Sequence, residues 1–96
     1  TDTWLGQEAA NLVAEWMEEN GLTVFIRRQG DLQTEDIDCF RVALSDIAKW
    51  SGKEIENYKK SGYRIIFNLT GGFKSVQGFL QTLALFYADE TGYVFE

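Results

Sequence analysis

Apolar residues recur at Leu5, Ala9, Leu12, Val13, Trp16 and Met17, a spacing that gathers one stripe along an α-helix, and the pattern stops at Asn20-Gly21. A short β-rich run, LTVFIRR at 22–28, follows, and QGDLQ after it carries turn residues. Helical spacing resumes at Ile37, Phe40, Leu44, Ile47 and Ala48. Thr34 is the expected cap of that helix, with Glu35 and Asp36 placed to favour the positive end of its dipole. Gly52 is where the helix would break or bend before Ile55 and Tyr58 continue it. Gly62 leads into YRIIFNLT, 63–70, a nearly continuous apolar run of the kind found in strands covered on both faces. Val76, Phe79, Leu80, Leu83, Ala84 and Tyr87 mark a third helix, and YVFE at 93–96 reads as a last short strand.

The order helix, strand, helix, strand, helix, strand predicts parallel strands joined by right-handed crossovers in a layered α/β sheet. With 96 residues there is room for one domain, spanning 1–96, and at that size association with a second copy would help stability. Three parallel strands would leave long unpaired edges, and TDTW enters a helix at once. The expectation is therefore a piece of a larger domain, or a domain completed by a partner.

Charge and composition narrow the chemistry. The formal net charge of −6 argues against a broad duplex-DNA surface, which gains affinity by releasing counterions from many phosphates. A small anion pocket inside an acidic protein remains open to it. No apolar stretch reaches the roughly 18 residues of a membrane span, and no signal segment opens the chain, so a cytoplasmic protein is expected. Histidine is absent, which removes histidine-activated serine and cysteine nucleophiles. The single cysteine, Cys39, excludes an internal disulfide and a thiolate-built zinc site, and it reads as an inert thiol. Asp36 and Asp38 point to different helix faces, EWMEEN reads as a solvated acidic face, and Trp4, Trp16 and Trp50 read first as packing residues.

One stretch stands apart. In FNLTGGFKSV, 67–76, an apolar strand ends on Thr70-Gly71-Gly72, and Lys74 follows where the third helix starts. Ligands of open α/β sheets collect beyond the carboxyl ends of strands. Glycines there let backbone approach a ligand, the first helical amides are free, and the lysine adds a full charge. The spacing fits neither a Walker loop nor a dinucleotide fingerprint. A plain turn with a solvated lysine is the equal alternative.

NLTGGFK at 68–74, followed after one helix by GYVFE at 92–96, resembles the end of the CARF domain, the Rossmann-like sensor domain of CRISPR type III accessory proteins. TDTWLGQEAA is similar to an SDT-x-x-G stretch earlier in that domain, and RRQGDLQ to its short intervening loop. The resemblance implies a Rossmann-like layered parallel sheet with helices on both faces. It also implies a homodimer that binds a cyclic oligoadenylate, most often cyclic tetra-adenylate, across its two-fold axis. Some members of that family are ring nucleases, which cut the ligand without a metal by attack of a ribose 2′-hydroxyl on the neighbouring phosphate; no cofactor is called for. The family's first strand and helix have no counterpart before Thr1, so the chain reads as N-terminally incomplete.

Carried residue by residue, the resemblance makes Lys74 the phosphate contact and, in a ring nuclease, the catalytic support. Thr70, Gly71 and Gly72 become the turn against the ligand backbone. Asp2 and Thr3 would reach ribose or adenine, with a helix cap as the equal alternative for Thr3. Arg28 and Gln33 flank the QGDL loop and would reach the same edge, although a solvated arginine is the commoner outcome. The rival reading is a structural or dimerisation module whose glycine turn binds nothing.

Overall fold

The computed structural model describes residues 2–32, 34–71 and 74–94, and the chain divides into two compact units, Thr1–Ala43 and Leu44–Glu96. In the first unit, α1 (Trp4–Glu19) starts at Thr3, whose hydroxyl oxygen accepts the Gly6 N–H at 3.0 Å. It stops as its sequence requires. Gly21 takes φ 82°, its N–H reaches the Glu18 carbonyl at 3.0 Å, and the Leu22 N–H reaches Met17 at 3.0 Å. That pair of bonds is a Schellman motif, and the left-handed residue has to be glycine to avoid a Cβ clash.

The helix that follows, α2 (Ile37–Lys60), is capped two residues later than expected. The cap is Asp36, whose carboxylate accepts the N–H groups of Asp38 at 2.9 Å and Cys39 at 3.1 Å. Thr34 instead accepts the Asp36 N–H at 3.1 Å, forming the turn that delivers the cap. Gly52 does not break α2, which runs for 24 residues. In the second unit α2 ends on another Schellman motif, with Gly62 at φ 88° and Gly62 and Tyr63 N–H groups bonded to Lys59 and Tyr58. The flanking hydrophobic contact of that motif is a T-shaped Tyr58–Tyr63 pair with ring centroids 5.3 Å apart.

From there the chain forms β1 (Ile66–Asn68), α3 (Lys74–Tyr87) and β2 (Glu90–Gly92). The two strands pair in parallel, Ile66 with Glu90, Phe67 with Thr91 and Asn68 with Gly92. Leu83 and Ala84 of α3 are buried with Leu69, just past β1, so the apolar stripe read from sequence does face the small core of this unit. Buried Ser51 and half-buried Gly52 belong to the α2 segment of the same unit, where a Cβ on Gly52 would come within 3.1 Å of the Tyr87 hydroxyl.

The expected Rossmann-like layered sheet with helices on both faces is not formed. The described residues are mostly helical, and their only sheet is two strands of three residues each. LTVFIRR, the expected first strand, is not a strand among them, and Phe25 there is 80% exposed. The reason is physical: β-branched and aromatic residues report fitness for a ladder, while a strand exists only where a second backbone supplies the bonds. The 63–70 run shortens likewise, since Ile66 is exposed and only β2 flanks it. The last strand lies at Glu90–Gly92, ahead of YVFE, whose Phe95 and Glu96 are outside the described residues.

Candidate functional site

The carboxyl end of β1 turns on its own side chains. Asn68 accepts the Thr70 N–H through its side-chain oxygen at 3.1 Å, which curls the backbone off the strand. Gly71 then adopts φ 83°, a conformation that calls for glycine. The Thr70 hydroxyl oxygen accepts the Val94 N–H at 2.9 Å and so ties this turn to the chain leaving β2. Thr70 therefore already has a structural bond, with its O–H proton available to another acceptor.

Gln77, one turn into α3, is the residue that sequence reasoning missed. Its side-chain amide donates to the carbonyls of Leu69, at 3.2 Å, and Gly71. Both N–H donors of one amide thus hold the turn against the helix. A polar residue following so soon after a glycine turn was the available signal, because helix residues at that level overlook the loop that precedes them.

Lys74 opens α3, is exposed, and makes no ion pair or hydrogen bond among the described residues. Gly72 lies outside those residues, as does Gln33. Asp2, Thr3 and Arg28 belong to the first unit. Thr3 there is the α1 cap, and Arg28 is exposed beside Arg27, whose guanidinium donates to Gln29 at 2.8 Å. Of the residues singled out in the sequence, Thr70, Gly71 and Lys74 belong to the second unit.

A cleft of about 490 Å³ opens along α3 toward the end of β2. Gly78, Gln81 and Leu85 line its helical wall, and Thr91, Gly92 and Tyr93 the other. Lys74, Thr70 and Gly71 are not in its lining. Lys74 nevertheless stands four residues before Gly78, so its Cα heads the same helical face as the cleft wall. Gly78 has ordinary helical φ, and a Cβ there would meet nothing within 4 Å. Glycine within a helix costs about 0.5–1 kcal/mol against alanine, so neither backbone conformation nor packing accounts for it.

The first unit holds a shallower apolar groove of about 390 Å³, where Ala9, Val13 and Ala14 of α1 face Val24 and Ile26. Cys39 is exposed, and the neighbouring Asp36 carboxylate pushes its thiol pKa up, away from the reactive thiolate. No cluster of three metal-ligating side chains exists among the described residues. Nor is any described helix long and apolar enough to cross a membrane.

Across residues 1–96 the chain matches the family described as CRISPR-associated protein (Cas_APE2256). No curated protein and no solved structure matches it.

Proposed function

Because this chain belongs to that CRISPR-associated protein family, we propose that it senses a cyclic oligoadenylate and that Lys74, beside the Thr70–Gly71–Gly72 turn, receives a ligand phosphate. The observation that carries this reading is the placement of Lys74: it begins α3 immediately past the glycine turn at the carboxyl end of β1, with its ammonium unpaired among the described residues. Free amides at a helix start and an adjacent cation form a compact anion receptor even where the net charge is negative. The resemblance of NLTGGFK to the CARF turn supplies the ligand class, and CRISPR-family membership agrees with it.

A ring ligand presents several equivalent phosphates, and we propose that two copies of the chain share one. Isothermal titration of the full chain with cyclic tetra-adenylate should give one ligand to two chains. Lys74→Ala should weaken binding by at least about tenfold, the worth of one charge-assisted hydrogen bond. Equal affinity in both proteins would defeat the assignment and leave the structural module as the better reading. Linear products after incubation in chelator would add metal-independent cleavage to sensing.

A further inference from the structure

We propose that the outward face of α1 is a docking surface for a basic amphipathic helix of another protein, whose apolar stripe seats on Leu5, Leu12 and Trp16 and whose lysines or arginines meet Glu8, Glu15 and Glu19. α1 turns its large apolar side chains outward. The residue it buries is Ala14, while Leu5, Leu12 and Trp16 stay between 62% and 72% exposed. These three recur at i, i+7 and i+11, so they form one continuous row along the helix. Large apolar side chains gathered on a surface mark an interaction site, whereas scattered ones do not. Trp16 is an anchor of the kind that dominates such contacts. The apolar surface also extends past the helix, since Ala9 and Val13 beside the row line the groove against Val24, Phe25 and Ile26 of the same unit.

Charge selects the occupant. Glu8, Glu15 and Glu19 repeat the i, i+7, i+11 spacing three residues further on, which lays an acidic row beside the apolar one. All three are exposed, and none makes an ion pair or hydrogen bond among the described residues. α1 contains no lysine or arginine. Nine acidic residues against three basic ones place the whole net charge of −6 in Thr1–Ala43, and Leu44–Glu96 is neutral. A second copy of α1 would add its own glutamates, and a nucleic acid its phosphates, to a helix without a cation, so both are repelled. A helix with an apolar stripe flanked by basic residues matches both rows at once, in the ordinary helix-on-helix mode. Exposed charge pairs are individually weak, so the apolar row supplies the affinity and the acidic row the choice of partner.

The probe is a fluorescein-labelled synthetic helical peptide with leucines along one stripe and lysines on both flanks, titrated with the full chain and read by fluorescence anisotropy. Binding is expected at roughly micromolar Kd, and at least about tenfold more weakly for a scrambled peptide and for one with glutamate in place of every lysine. Leu12→Gln should weaken binding of the lysine peptide at least about tenfold, as one leucine lost from an apolar contact. The triple variant Glu8→Lys, Glu15→Lys, Glu19→Lys should reverse the preference and favour the glutamate peptide. Glu18→Lys, which lies off the row, should leave the preference as it was. Circular dichroism checks that each variant folds, and a reversed preference decides the matter even if Leu12→Gln does not, because unfolding cannot create it. No binding of the lysine peptide, equal binding of the scrambled one, undiminished binding by folded Leu12→Gln, or an unchanged preference in the triple variant would overturn the proposal. So would a wild-type dimer in sedimentation that Leu12→Gln dissociates, since the stripe would then belong to a second copy.

Discussion

The two ends of the β1–β2 pair are built from opposite materials. At the amino end the charges are spent on one another: Asp89 accepts the Ile65 N–H at 2.7 Å and lies 3.8 Å from the Lys59 ammonium, and Arg64 meets Glu90 at 2.8 Å. At the carboxyl end the bonds are made by neutral groups, Asn68, Thr70 and Gln77, and the one described cation there, Lys74, is unpaired. An end whose charges are mutually satisfied has little to offer a ligand. An end shaped by amides and hydroxyls, with a cation left over, keeps its strongest interaction in reserve for something that is not part of the fold.

Removing the neutral brace should damage the carboxyl end most. Gln77→Leu keeps helix propensity but deletes both bonds to the Leu69 and Gly71 carbonyls, of which the first lies in a part-buried setting. A loss of about 1–3 kcal/mol in urea unfolding is expected. Faster amide exchange should appear at Thr70 and Gly71, together with weaker tetra-adenylate binding. The comparison is broken if exchange quickens instead around Ile65 and Asp89, or if binding survives a loosened turn.

Much of the chain was legible beforehand and some was not. The Gly71 turn, the start of a helix at Lys74 and the stops at Gly21 and Gly62 follow from local rules, since a left-handed glycine or a free helix start is decided within a few residues. The LTVFIRR strand failed because pairing is decided by a distant backbone that local composition does not contain. Thr34 lost the cap to Asp36 because two capping types two residues apart compete and only the geometry of the first turn chooses between them. Gln77 escaped notice since its role depends on where a side chain points back, and the cleft escaped because what marks it is missing side-chain atoms at Gly78 and Gly92. Thr3 is a third kind of case: its two readings used the same hydroxyl, and the structure shows it accepting the Gly6 N–H.

Two of the helix glycines, Gly52 and Gly78, sharpen the contrast between a position used by the fold and one left open. Gly78→Ala should raise stability by about 0.5–1 kcal/mol, the ordinary gain from replacing glycine within a helix where nothing resists the methyl group. Gly52→Ala offers the same backbone gain but sets its methyl 3.1 Å from the Tyr87 hydroxyl, so the tyrosine has to shift and the gain shrinks or reverses. Denaturant midpoints of the two variants, read side by side, check the ranking. A destabilising Gly78→Ala would mean that the fold itself requires that space.

The smallest effect belongs to the amino end, and its sign follows from Asp89. Donation from the Ile65 N–H, helped by Lys59 and Arg64 nearby, holds the Asp89 pKa below the usual carboxylate range. A carboxyl that is more acidic folded than unfolded stabilises the native state in full above its unfolded pKa, about 3.9, and that contribution fades as pH falls through the folded value. Asp36 behaves alike at the start of α2, where the Cys39 and Asp38 N–H groups favour its charged form. Urea midpoints followed from pH 7 downward should therefore fall below about pH 4, and less steeply in Asp89→Asn, whose oxygen still accepts from Ile65 but carries no titrating charge. Because all these groups are exposed, the shift should be slight and reduced by salt. Tetra-adenylate affinity at pH 7 should be the same in Asp89→Asn and wild type; a change there would mean that the two ends of the strand pair are coupled, and the division between a self-satisfied end and a receptive one would no longer describe the molecule.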